Sequence, residues 1–233
     1  MTTLYVHERH VYARFDALEA RFRADIDVSD FRVRAIRRSL APVPGMRVLD
    51  IGCGKGRFAP HLGGAEVFGV DISDGMLAGG EHSKNARASI RRLPFADGGF
   101  DAALAVEVFQ HLPGGSLADV LAEVRRVLRP GGRFAVLDRN RAALDADRPW
   151  LPRVALKRLD ERRGRWMYER GGPVRERWFD AGSMRRALSR SFQGATAEYL
   201  LSPDESRRAV FRVVPAARSM VLWMGRAPGV ARG

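Results

Sequence analysis

Val48-Leu49-Asp50-Ile51-Gly52-Cys53-Gly54-Lys55-Gly56-Arg57-Phe58 runs from a short apolar stretch straight into three alternating glycines. Apolar residues on consecutive positions predict a strand buried on both faces, as in a parallel sheet. Gly52, Gly54 and Gly56 let the main chain turn sharply and approach a ligand where a Cβ would collide. Nineteen residues after Gly52, at the end of the next apolar run, Asp71 is placed to accept hydrogen bonds from both hydroxyls of a ribose. A tight turn alone would explain the glycines. The strand, the glycines, a following helical stretch and the second-strand acid together point instead to a nucleoside-binding loop.

Working outward, short apolar runs alternate with helical stretches. MRVLDIG is followed by a helix near 56–62, AEVFGVD by a helix near 74–83, RASI and FDAALAVE by a helix near 116–128, and then GRFAVLD. This is an α/β, doubly wound pattern around a mostly parallel sheet. Ahead of it, Val11, Phe15, Leu18 and Phe22 recur at helical spacing within residues 5–24, and a second helix is expected over 31–40. Pro42, Pro44 and Gly45 end that unit. After it, AGSMRRALSRSF reads as a helix, GATAEYLL as a strand and RSMVLWMGRA as the last strand. A single domain is expected over 1–233, with N-terminal helices (1–40), a cofactor core (41–138), a basic excursion over the site's mouth (139–180) and closing elements (181–233).

Two details select the cofactor. A dinucleotide fingerprint wants its third glycine at position 57, which is Arg57. Asp50 would sit awkwardly beside a pyrophosphate but suits a ligand carrying an amino group. An S-adenosylmethionine-shaped ligand fits better than a nicotinamide dinucleotide.

Beyond these residues, FGVDIS (68–73), LPFADGGFD (93–101), EVFQHL (107–112) and RRVLRPGGRF (125–134) follow the glycine loop in order. With it, they make the chain resemble the class I S-adenosylmethionine-dependent methyltransferases, especially the ubiquinone-type and small-molecule group, over about residues 40–138. The resemblance implies a Rossmann-like, seven-stranded sheet with an antiparallel last strand. It implies that Asp50 and the Gly52–Gly54 main chain, with Cys53 and Gly56 in the loop, hold the methionine part of S-adenosylmethionine. Asp71 would hold the ribose, and Ile72 with Leu93 would sandwich the adenine. Many relatives carry an acid four residues before that leucine, where this chain has Ser89, so a hydroxyl, a backbone carbonyl or water must hold the adenine amino group.

His111, just beyond the fourth strand, is the candidate base for an acceptor that must lose a proton, weighed against a structural role. Glu107, grouped with the cofactor-binding residues, would reach His111 if that segment were helical. His7, His10, Tyr5 and Tyr12 lie on a helix that could cover the cofactor, with exposed or core positions the blander explanation. Cys53 is given no catalytic role.

Composition bounds the rest. The chain has 233 residues with 45% hydrophobic and 29% charged, and its one cysteine allows no internal bridge. No Cys/His cluster has metal-like spacing, and no signal peptide or membrane span is expected, which points to a soluble cytoplasmic protein. Residues 141–190 carry +7 of the net +13, and Trp150, Trp166, Tyr168 and Trp178 are interleaved with the arginines there. A solvated basic helix face or a small anionic acceptor is favoured over RNA, because charge alone seldom specifies nucleic acid. The expected function is methyl transfer to a small molecule, such as a lipid, glycan or secondary metabolite. RNA methylation, a catalytically inactive cofactor-binding partner protein and a nicotinamide oxidoreductase are the alternatives.

Overall fold

The computed structural model describes residues 3–80, 84–168 and 171–229. Seven strands, β1 (Arg47–Ile51), β2 (Glu66–Asp71), β3 (Asn85–Arg87), β4 (Phe100–Val106), β5 (Leu128–Arg139), β6 (Gln193–Leu200) and β7 (Met220–Arg226), form one sheet in the order β3-β2-β1-β4-β5-β7-β6. The first five are parallel, and β7 runs antiparallel to both β5 and β6.

The central strands β1, β4 and β7 are buried on both faces, which is why they read as nearly unbroken apolar runs, while the edge strands β3 and β6 are partly exposed. Along β1, Val48 packs into one core and Leu49 into the other. The same alternation divides Leu104 from Ala105 on β4, Val136 from Leu137 on β5 and Leu222 from Trp223 on β7. Trp223 is fully buried, and its indole N–H donates to the Ala181 carbonyl at 2.9 Å.

Eight α-helices are seen among the described residues: α1 (Thr3–Leu18), α2 (Phe31–Leu40), α3 (Asp74–Ala78), α4 (Leu117–Val127), α5 (Arg153–Arg162), α6 (Ala181–Leu188), α7 (Pro203–Ser206) and α8 (Ala209–Val213). Helix α2 matches its sequence expectation, capped by the Asp30 carboxylate accepting from the Arg32 amide at 2.8 Å. It ends at Ala41, in the left-handed region at φ 42°.

Three expectations are corrected. The helix near 56–62 is a single 3-10 turn, Ala59–His61, cut short by Gly63 and Gly64 at φ 62° and 79°. The helix near 74–83 stops at Ala78, ahead of Gly79 and Gly80, and positions 81–83 lie outside the described residues. The third strand, Asn85–Arg87, shares only Arg87 with RASI (87–90) and begins two residues before it, because that stretch is the part in register with β2. Helices α7 and α8, between the last two strands, had no periodicity long enough to announce them.

Candidate cofactor and acceptor site

The strand order reverses on either side of β1, which pairs with β2 on one edge and β4 on the other. Segments leaving the carboxyl ends of these strands diverge there and leave a crevice. In this chain the crevice is a cavity of about 500 Å³.

Its floor is the glycine loop. The amides of Gly52 and Cys53 donate to the Val70 carbonyl at 2.7 and 3.0 Å, tying the loop to β2. Gly52 and Gly54 both have positive φ, 66° and 53°, which favours glycine. A Cβ on Gly54 would meet the Met76 side-chain methyl at 2.7 Å, so a larger residue there clashes first with Met76 and only then with a ligand.

Asp71 and the glycine loop face one another. The Gly54 amide donates to Asp71 Oδ2 at 2.8 Å and the Ser73 amide to Oδ1 at 2.9 Å. Each oxygen keeps acceptor capacity toward the cavity, which Asp71 lines. Burial pushes the Asp71 carboxyl above its usual range, against the pull of those amides.

Asp50 lies behind the loop, only 3% exposed, and its Oδ2 has no hydrogen-bond partner among the described residues. Burial, then the nearby Asp71 charge, pushes its pKa up to about 7, with Arg57 opposing. Cys53 is buried, its thiol pushed further up by burial and by both carboxylates, which suits its lack of a catalytic role. Ile72 and Ser89 line the cavity.

Leu93 does not. It is 3% exposed within the core on the α4 side, and Ile90 lines the cavity in its stead. The Leu93 main chain is held by Glu123 and Arg126, which turn its side chain inward. Gly56 also lies off the cavity wall, its amide donating to the Cys53 carbonyl at 2.8 Å to close the loop.

Glu107 is a second correction. It adopts φ 57°, a left-handed conformation unusual outside glycine, rather than a helical one. Its carboxylate pairs with Arg139 at 2.6 Å, Arg32 at 3.3 Å and Arg57 at 3.7 Å, not with His111. Those arginines hold its carboxyl below the ordinary range despite burial. The cluster joins the ends of β4 and β5, the glycine loop and α2, and no sequence motif announced it.

His111 lines the cavity on a 3-10 turn, Phe109–His111. Its Nδ1 accepts from the Tyr168 hydroxyl at 3.1 Å. With the Gln110 amide oriented to satisfy all its neighbours, His111 Nε2–H donates to the Gln110 oxygen at 3.3 Å and the Gln110 nitrogen donates to Glu176 Oε1 at 2.9 Å. Burial pushes the His111 pKa down to about 4, so the ring is neutral at pH 7.

Helix α1 covers one side. His7, Glu8, Val11 and Phe15 line the cavity, and His7 Nε2 bonds the His111 carbonyl oxygen at 2.9 Å. Tyr5 and Tyr12 do not line it: Tyr5 is exposed, and Tyr12 faces the Arg87 guanidinium. His10 is exposed and bonds its own helix at Val6. Glu8 is the residue that sequence reading missed, because its carboxylate accepts from Ser89 Oγ at 2.7 Å and pairs with Arg91 at 3.5 Å. Trp166, Met167 and Glu176 also line it, and the Met167 carbonyl accepts from Arg14 of α1, so this wall is joined to the helix. No group of three or more potential metal ligands occurs among the described residues, and no described helix is long and apolar enough to cross a membrane.

Comparison with known proteins agrees with this geometry. Residues 49–136 match a family model described as a methyltransferase domain. The chain is 35% identical over 158 residues to the demethylmenaquinone methyltransferase of Beutenbergia cavernae, covering 63% of this chain and 62% of that protein. It is 40% identical over 108 residues to the sterol 24-C-methyltransferase ERG6B of Gibberella zeae, covering 41% of this chain and 28% of that protein. These matches span under two thirds of the relatives' own lengths.

Among solved structures, a chain of the Haloferax volcanii complex between the Trm112 methyltransferase activator and a methyltransferase superposes with a TM-score of 0.68 at 19% identity, over 96% of this chain and 100% of that one. Haemonchus contortus phosphoethanolamine N-methyltransferase 2, bound to S-adenosyl-L-methionine, gives 0.61 at 16% identity over 84% of this chain and 52% of that one. With the glycine loop and second-strand acid meeting at the sheet's switch point, residues 49–136 are similar to a methyltransferase domain, and the chain shares the fold of these solved structures.

Proposed function

We propose that this protein transfers a methyl group from S-adenosylmethionine to a small-molecule acceptor. The observation that carries the reading is the junction of Gly54 and Asp71, 2.8 Å apart at the cavity's edge, with the unpartnered Asp50 oxygen behind it. A carboxylate beside a bare main-chain turn suits a ribose, and a second buried carboxylate lacking a cation suits an ammonium group. The residues therefore fit the cofactor. Asp71 would hold the ribose, Asp50 and the Gly52–Gly54 main chain the amino-acid end, and Ile72 with Ile90 the faces of the adenine. Glu8, brought by α1 to Ser89, supplies the carboxylate at the adenine end that the local sequence lacks.

Bound S-adenosylmethionine supplies an already activated methyl group, so catalysis rests on aligning the acceptor and excluding water. Helix α1 with Trp166, Met167 and Glu176 does the covering. His111 sits where an acceptor's proton could be received, but both ring nitrogens are engaged and the ring is weakly basic. That favours a positioning role, in which His111 pins the Tyr168 hydroxyl. The named relatives act on sterol and quinone-type molecules, which supports a small acceptor over RNA.

Titration calorimetry with S-adenosylmethionine tests the reading. The wild type is expected to bind, and Asp71→Ala to bind roughly 10–100-fold more weakly, the cost of losing charge-assisted hydrogen bonds. Labelled-methyl transfer into small-molecule extract should follow. Absence of heat at high protein concentration would sink the proposal and revive an inactive partner protein. In the same assay, His111→Asn is expected to slow turnover while leaving the pH profile in place, whereas loss of its acidic limb would make His111 the base.

A further inference from the structure

Beyond the cofactor cavity, the 139–180 segment builds a second pocket of about 400 Å³. Five basic side chains face it, Arg148, Arg153, Lys157, Arg163 and Arg165, against two acids, Asp145 and Asp160. Arg148 is neutralised by Asp145 at 3.3 Å and Lys157 by Glu161. Arg153, Arg163 and Arg165 have no side-chain hydrogen bond or ion pair among the described residues.

Arg153 is the informative one. Arg163 and Arg165 are exposed and can be solvated in place, but Arg153 is only partly accessible, at the first turn of α5. Desolvation, and then repulsion from Arg139 on the cavity side, push its pKa down. Asp145, Glu205 and Glu107 attract it only at longer range, so a guanidinium held partly out of water with no carboxylate in direct contact is a standing cost that a bound anion would relieve.

The two pockets share a wall. Trp166 lines both, while Trp178 lines only the basic one and Glu176 only the cofactor cavity. Glu176 accepts from Trp166 Nε1 at 2.6 Å and from Trp178 Nε1 at 2.7 Å, so one buried carboxylate fixes both indoles. The indole rings lie 6.2 Å apart, with Lys157 5.7 Å from the Trp166 ring centroid. A partition of two indoles tilted by 59° thus lies between a cation-lined recess and the place where the methyl group would be offered.

We propose that the methyl acceptor is anionic, its phosphate or carboxylate seated in the Arg153 pocket while its nucleophilic atom reaches past Trp166 into the cofactor cavity. This rests on the methyltransferase reading for the acceptor role, though not for the anion site itself. The pocket sets specificity: a neutral analogue would leave Arg153 unpaired and bind worse.

The test titrates inorganic phosphate and benzoate separately into the full chain at fixed ionic strength, following tryptophan fluorescence, with chloride as the control. A saturable change with at least one anion is expected, weakened about tenfold in Arg153→Gln and in the exposed pair Arg163→Gln/Arg165→Gln, which does not threaten folding. The stronger of the two anions identifies the group. Calorimetric affinity for S-adenosylmethionine should be unchanged in all variants. A response no greater than chloride's, or equal affinities in wild type and variants, would overturn the site. Arginine-dependent anion binding by a protein that fails to bind S-adenosylmethionine would overturn the acceptor role and leave the anion site standing. Displacement of the anion by a single-stranded RNA oligonucleotide with steep salt dependence would overturn the small-acceptor assignment in favour of RNA.

Discussion

Asp50 faces a problem that its neighbours do not solve. One oxygen lacks a partner, Asp71 repels its charge, and burial has moved its pKa to about 7. Because the folded value exceeds the unfolded one, its contribution to stability is fully present below about pH 4 and is lost as pH rises through about 7. A ligand ammonium would favour the ionised form, so binding should strengthen as pH climbs through the same range. Asp50→Asn is expected to raise the melting temperature of the ligand-free protein above pH 7, to weaken S-adenosylmethionine binding and to flatten its pH dependence. Calorimetry at pH 6 and pH 8 checks this, and an unchanged slope in the variant would remove Asp50 from the cofactor's amino end. Asp50 stands out in the sequence by its type and its distance from Gly52, and it lies behind the cavity rather than on its lining. Leu93 could not, since the Glu123 and Arg126 contacts that turn it inward come from a helix thirty residues downstream. Glu107 escaped for a different reason: its role follows from a left-handed backbone that no side-chain pattern encodes.

At the scale of elements, local order was legible and cross-element pairing was not. Strands β1, β2 and β4 follow from consecutive apolar residues, and the end of α2 from the prolines after it, whereas β3, Asn85–Arg87, has no apolar run to announce it. The meeting of α1 with the loop after β3 is a tertiary event. It places Glu8 on Ser89 across 81 residues of sequence, so a missing acid in one motif is supplied by another element. Glu8→Gln is expected to lower affinity for S-adenosylmethionine more than for an analogue lacking the adenine amino group, while Ser89→Ala changes both little. Competition binding with the two nucleosides measures the difference. Equal losses for both would show that Glu8 only holds α1 in place.

For the molecule as a whole, the charge excess was legible as a segment but not as a pocket. Charge counting identifies a basic stretch, whereas the recess depends on Glu176 ordering two indoles twelve residues apart within it. The closing order of the sheet carries a separate consequence for biosynthesis. Strand β7 is made after β6 yet lies between β5 and β6. Until residues 220–226 leave the ribosome, β5 presents an open row of main-chain donors and acceptors, and β6 has nothing to pair with. Trp223 alone buries on the order of 200 Å², worth about 5 kcal/mol at 25 cal/mol per Å². A chain truncated after residue 219 is therefore expected to be insoluble, or soluble only with a holding chaperone, as centrifugation after expression would reveal. Translation thus passes through an interval in which six of the sheet's seven strands exist but the sheet cannot yet close, and nascent-chain quality control has its opportunity there.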